Sequence, residues 1–111
     1  MQTTEVRYAK FGEFWPFYVS QHRDPRNRNM HFIGTTIGNV SIVLLILTQS
    51  LVFIPVGLIA SYGFAWAGHF FFEKNKPATF TYPVLSLFGD YKMYWLMWQG
   101  KMAAEIKKLP A

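Results

Sequence analysis

Apolar positions run almost unbroken from Phe32 to Phe72, and no Asp, Glu, Lys or Arg interrupts them. That run is about twice the ~20 residues that carry a helix across a ~30 Å hydrocarbon layer. Its most polar step is Thr48-Gln49-Ser50, with Pro55 and Gly57 soon after. The break divides the run into two spans, at about 30–48 and 51–71, joined as an antiparallel hairpin. A soluble protein could bury such a hairpin, but a chain of 111 residues has too little left over to cover two all-apolar helices.

The segments on either side read as interfacial. Tyr8, Phe11, Phe14, Trp15, Phe17 and Tyr18 alternate with Lys10 and Glu13, a mixture that favours the headgroup region. This predicts an interfacial helix over 8–21, which Pro16 breaks or starts. Towards the end, Val84, Phe88, Tyr91, Trp95, Trp98 and Met102 recur at steps of four and three, one face of a helix over 83–103. Leu87, Tyr94 and Met97 widen that arc, so its depth stays open. The tail Lys101–Ala111 is expected to fray. The predicted fold is a single all-α membrane domain over 1–111, a transmembrane hairpin flanked by interfacial or partly embedded helices.

Charge adds orientation. Charged residues make up only 15% of the chain, against about 25% in soluble domains. The net charge is +5, from 11 Lys+Arg and 6 Asp+Glu. Arg23, Arg26 and Arg28 precede the first span, Lys74 and Lys76 follow the second, and the turn between has no charge. The positive-inside rule then makes both ends of the hairpin, and both termini, cytoplasmic. The first thirty residues hold Glu5, Arg7, Lys10, Glu13 and the Arg cluster, so the first span is expected to insert as its own signal. Membrane flanks account for the basic residues, and nucleic acid is not an expected partner. With no cysteine, disulfides, Cys-ligated zinc, iron–sulfur clusters and thiol nucleophiles are excluded.

The remaining chemistry rests on His22, His31 and His69. His31 opens the first span and His69 nearly closes the second, so an antiparallel hairpin sets them at one depth. Asp24-Pro25 interrupts any helix joining His22 to His31, and a bend there swings His22 over the hairpin mouth. Glu73 lies one turn after His69. Single histidines at membrane ends commonly bind headgroups or helix carbonyls; three converging on one end point to a metal. Imidazoles suit zinc, iron, copper or nickel, and spacing does not choose among them. No HExxH, GxSxG or P-loop pattern is present.

Two stretches carry a resemblance. Phe17-Tyr18-Val19-Ser20-Gln21-His22-Arg23-Asp24-Pro25-Arg26-Asn27, continued by His31-Phe32-Ile33-Gly34, and Trp66-Ala67-Gly68-His69-Phe70-Phe71-Phe72-Glu73-Lys74 with Pro77-Ala78, resemble the 2-hydroxy fatty acid dioxygenase-like family. The resemblance covers roughly 14–82, and the chain looks like the family's short prokaryotic branch, which implies a bacterial inner membrane. It implies an iron(II)-dependent dioxygenase of lipid metabolism that uses O₂ to shorten 2-hydroxy fatty acids by one carbon, releasing an aldehyde. Carried over residue by residue, His22, His31 and His69 match the proposed metal ligands, with Asn27 and Glu73 beside them. Glu73 is expected to orient an imidazole through its N–H. Arg23, Arg26 or Arg28 would hold the substrate carboxylate. Two other readings compete: a zinc-type lipid hydrolase, and a small non-catalytic or lipid-binding subunit that forms a homo-oligomer or joins a larger membrane complex.

Overall fold

The computed structural model describes residues 7–110 and is built from helices, with no strand among the described residues. The expectations for the chain ends themselves, residues 1–6 and 111, lie outside the described residues. Helix α1 covers Phe11–Ser20. The long helix α2, Pro25–Thr48, has 24 residues and is about 36 Å long at ~1.5 Å per residue. It begins some residues before the expected span because Pro25, which separates α1 from α2 as the sequence predicts, also opens the second helix. Proline suits the first helical position, whose N–H has no helical partner. The Asp24 carboxylate completes the cap by accepting the Arg26 N–H at 2.8 Å.

The reversal happens at Gln49, which adopts a left-handed conformation and returns its N–H to the Leu45 carbonyl at 2.8 Å. Helix α3 follows over Phe53–Ala67. Pro55 and Gly57 therefore lie inside it and play no part in the turn. Pro55 sits in the first turn, where a missing N–H costs nothing.

Small side chains close the hairpin. A Cβ on Gly34 would come within 2.8 Å of the Ser61 carbonyl, and one on Gly57 within 3.0 Å of the Ser41 Cβ. Gly34, Gly38 and Ser41 of α2 thus let its backbone approach Gly57 and Ser61 of α3, the small-residue packing favoured between membrane helices. The remaining surface is left bare. Only 17% and 22% of the residues in the most apolar stretches of the two helices are buried within the chain. Helix α2, and α3 together with its helical continuation to Glu73, are long and apolar enough to cross a membrane.

The flanking segments fold together into a cap at the charged end. Pro16 lies within α1 instead of breaking it. It and Gly12, whose carbonyl loses its bond, are both exposed, so the surroundings can satisfy the orphaned oxygen. Helix α4 covers Pro83–Trp98 and crosses α2 in the opposite sense. Tyr91 Oη donates to Asn39 Oδ1 at 2.8 Å, the Tyr94 and Thr36 hydroxyls lie 2.9 Å apart, and the Trp98 ring packs on Phe32.

The expected helix over 83–103 ends early. Gly100 has φ 69°, its N–H bonds to Met97 O at 3.1 Å, and Lys101 N–H bonds to Leu96 O at 2.8 Å. This is a Schellman stop, which glycine accepts without steric cost. The tail does not fray as expected. Helix α5, Met102–Lys107, buries Met102 in the core, and Glu105 Oε1 accepts the Trp15 indole N–H at 2.8 Å. Tail apolar residues at helical spacing had a groove to fill between α1 and α4.

Candidate metal centre

Three different backbone contexts deliver the histidines. His22 lies just past the end of α1, His31 in the second turn of α2, and His69 in a π-helical stretch, Gly68–Glu73, that continues α3. A π-helix is rare and often marks a functional site. Lys74, with φ 63°, ends this stretch. The rings form a propeller. Their centroids are 4.6–4.8 Å apart and their planes are 76–86° from parallel. All three residues are buried, and their candidate ligand atoms lie within 4.8 Å of one another.

The hydrogen-bond network assigns the tautomers. His22 Nδ1 faces the Tyr18 carbonyl at 2.6 Å and His31 Nδ1 faces the Asn27 carbonyl at 3.0 Å. A carbonyl only accepts, so each Nδ1 carries the proton. His69 Nδ1 faces Asn75 Oδ1 at 2.6 Å. The orientation of that amide is set from behind, because Asn75 Nδ2 donates at 3.1 Å to both the Gln21 carbonyl and Gln21 Oε1. All three Nε2 atoms are then bare lone pairs. Those of His22 and His31 are only 3.3 Å apart, with no proton to share. Such a set repels itself unless a cation joins it. Outer hydrogen bonds of this kind fix ligand imidazoles in metal sites. Burial first, then the two neighbouring imidazoles, hold the His22 pKa well below the ordinary histidine value. Its ring is therefore neutral at pH 7, as a metal ligand requires. The residues fit a metal.

The sequence comparison agrees in kind. A family described as 2-hydroxy-palmitic acid dioxygenase Mpo1-like matches residues 8–102. The chain belongs to the Mpo1-like family. Neither a curated protein nor a solved structure matches it.

In this Mpo1-like chain the other expected site residues fall in several places. Asn27 is fully buried and holds His31 through its backbone carbonyl. Glu73 is not on an imidazole. Its Oε1 accepts the Asp24 N–H at 2.5 Å and Asn27 Nδ2 at 3.4 Å, which ties the start of α2 to the end of the π-helix. The arginines do not line the histidine cavity. Arg26 pairs with Asp24 at 2.7 Å and Arg23 is exposed. Arg28 donates at 2.8 Å to the backbone carbonyls of His22 and Arg23, pinning the bend between the first two histidines.

Five residues around the histidines were given no site role by the sequence reading. Asn75, set between two lysines, looks like an ordinary turn residue. Tyr18 stacks on the His22 ring at 4.0 Å and donates its hydroxyl to Asp90. Burial pushes the Asp90 pKa up to about 7, against the lowering effect of that bond. Trp66 lines the small cavity beside the histidines, and its indole Nε1, like Asn27 Oδ1, is buried without a partner. Unpaired buried polar atoms are uncommon enough to ask for a reason, and both flank the histidines. Gly68 offers the clearest sequence signal in hindsight. A Cβ there would lie 2.2 Å from Asn27 Oδ1, so any other residue before His69 would displace the buried Asn27 side chain.

Proposed function

We propose that this chain is a membrane-embedded, iron(II)-dependent dioxygenase that shortens 2-hydroxy fatty acids by one carbon. The observation that carries the reading is the trio of buried, Nδ1-anchored imidazoles offering three bare Nε2 atoms to one another. The family match supports O₂ and a 2-hydroxy acid as reactants. Zinc has no redox chemistry, so iron is the better fit to oxygen use.

His22, His31 and His69 would hold the metal, which when bound supplies a redox centre with open positions for a 2-hydroxy carboxylate and O₂. The chain's own work is to hold and to exclude. The Tyr18 and Asn27 carbonyls and the Asn75 amide keep the three Nε2 atoms deprotonated and aimed. The cavity at the histidines is about 10 Å³, room for roughly one water, and the three imidazoles are almost wholly shielded from solvent. Asp90, on the wall of that cavity, is a half-buried carboxyl that accepts the Tyr18 hydroxyl and so holds the ring stacked on His22. In the balanced reaction the C1–C2 bond breaks. The substrate gives four electrons to O₂, and the products are CO₂, water and a carboxylate one carbon shorter. With the aldehyde as product the substrate gives only two electrons and O₂ ends as hydrogen peroxide, so peroxide measurement separates the two outcomes.

The membrane placement rests on the two bare apolar helices and on the basic residues at one end of the hairpin. In an inner-membrane orientation with that end cytoplasmic, the histidines sit where the carboxylate of an amphiphile already resides. The test is O₂ uptake and product analysis by the iron-loaded protein with 2-hydroxy-, 3-hydroxy- and unsubstituted hexadecanoic acid. The reading expects turnover of the 2-hydroxy acid alone, with the plain acid an inhibitor. Comparable turnover of all three defeats the requirement for a 2-hydroxyl group. No turnover by protein holding full iron favours a non-catalytic subunit.

A further inference from the structure

A second cavity of about 340 Å³ runs along the α2–α3 seam. It starts at His31, passes Gly38 and Gly57, and reaches Leu45 of α2 and Phe53 and Ile54 of α3 at the turn end. Leu87, Asp90 and Tyr91 of α4 wall its mouth. His31, Ala65 and Asp90 line both this groove and the small cavity at the histidines, so the groove borders that cavity. Its polarity is graded. Thr35, Ser61, Tyr62 and Asp90 belong to the mouth half, and the Ser61 hydroxyl is already spent on the Gly57 carbonyl at 2.7 Å. Beyond Gly57 the lining is apolar.

The geometry points to this groove as the channel for one acyl chain, with Leu45, Phe53 and Ile54 setting the longest chain accepted. The inference rests on the dioxygenase reading and adds how substrates are measured. From His31 to Leu45 the helix rises roughly 21 Å. A carbon–carbon bond of ~1.5 Å in zigzag advances about 1.25 Å, so the groove holds roughly sixteen to eighteen carbons. The occupant is a single-chain carboxylate, because the groove borders the histidine cavity at its His31 end and is apolar beyond Gly57, which suits a carboxylate head and an alkyl tail.

The test uses the full chain in lipid nanodiscs and two photoreactive 2-hydroxyhexadecanoic acids, one with a diazirine at the ω carbon and one with it at mid-chain. The ω probe is expected to label the segment around Leu45–Ile54 and the mid-chain probe the region of Gly38 and Gly57. Excess unlabelled 2-hydroxyhexadecanoic acid should compete both away, and phosphatidylcholine should not. Labelling spread over the outward residues Val43, Leu47 and Ile59, or labelling that phosphatidylcholine displaces, would overturn the channel. Leu45→Trp should also lower the C16-to-C12 ratio of kcat/KM at least tenfold. Val43→Trp, on the outer face of the same turn, should leave that ratio alone. An unchanged ratio in Leu45→Trp overturns the length limit. Should the wild type turn over no 2-hydroxy acid of any length, the dioxygenase reading fails while the labelling pattern still decides the channel.

Discussion

Asn75 Oδ1 receives the Nδ1–H of His69 at 2.6 Å, while its Nδ2 donates to the Gln21 backbone and side chain. One amide therefore ties the π-helical end of α3 to the residue before His22. It links the segments of two of the three imidazoles, beside the Glu73 bond to Asp24 N–H. Replacing Asn75 by Ala is expected to weaken metal binding by about 10–100-fold, the usual cost of losing such an outer partner. Asn75→Asp keeps the acceptor but loses the donor to Gln21, and should fall between. Isothermal titration with iron(II) under anaerobic conditions measures both, and wild-type affinity in Asn75→Ala would remove the residue from the site.

Arg28 and Arg26 separate a structural from a binding role. Arg28 spans the carbonyls of His22 and Arg23, so Arg28→Gln should release the bend and lower metal content as well as turnover. The Arg26–Asp24 pair is solvent-exposed on the arginine side, and such pairs contribute about 0–1 kcal/mol. Arg26→Gln and Arg23→Gln should keep the metal, and if these side chains meet the substrate carboxylate they raise KM more than they lower kcat. Metal content by mass spectrometry, paired with steady-state kinetics, distinguishes the three.

Much of this architecture is legible in the chain, and the misses have physical causes. The charge-free run and its polar break place both long helices, and antiparallel geometry alone puts His31 and His69 at one depth. Pro16 was harder because proline's effect depends on its surroundings in the helix: it is tolerated where the orphaned carbonyl is exposed. Gly100 carries a helix stop that the apolar spacing through Met102 masks. Asp90 and Asn75 depend on contacts to residues more than fifty positions away, Tyr18 and Gln21, which no local pattern encodes. Their pairing exists only once α1 has folded over the hairpin mouth.

Asp90 makes a pH prediction with a definite sign. Burial raises its folded-state pKa to about 7, well above the ~3.9 of an unfolded aspartate. Its contribution to stability is fully present below about pH 4 and is lost as pH rises through about 7. The depressed pKa of His22 works the other way, destabilising the fold as pH falls below about 6.5. Asp90→Asn isolates the first effect. Its melting temperature relative to wild type should climb between pH 5 and pH 8 in metal-free protein. Parallel melting profiles across that range would show that Asp90 does not titrate in this way.

Orientation is open to labelling in a chain with no native cysteine. Leu51→Cys and Lys76→Cys place thiols at exposed positions on opposite ends of the hairpin. An impermeant maleimide applied from outside spheroplasts should modify the first and spare the second. The reverse pattern would put the histidines on the outer face of the membrane.

Iron stoichiometry tests the account most directly. Anaerobically purified wild-type protein, loaded with iron(II) and desalted, should retain one equivalent, and His22→Ala, His31→Ala and His69→Ala should each retain essentially none. Two imidazoles do not hold a labile divalent ion. A single replacement that still keeps a full equivalent, in a protein that unfolds at the wild-type temperature, would contradict the three-histidine centre.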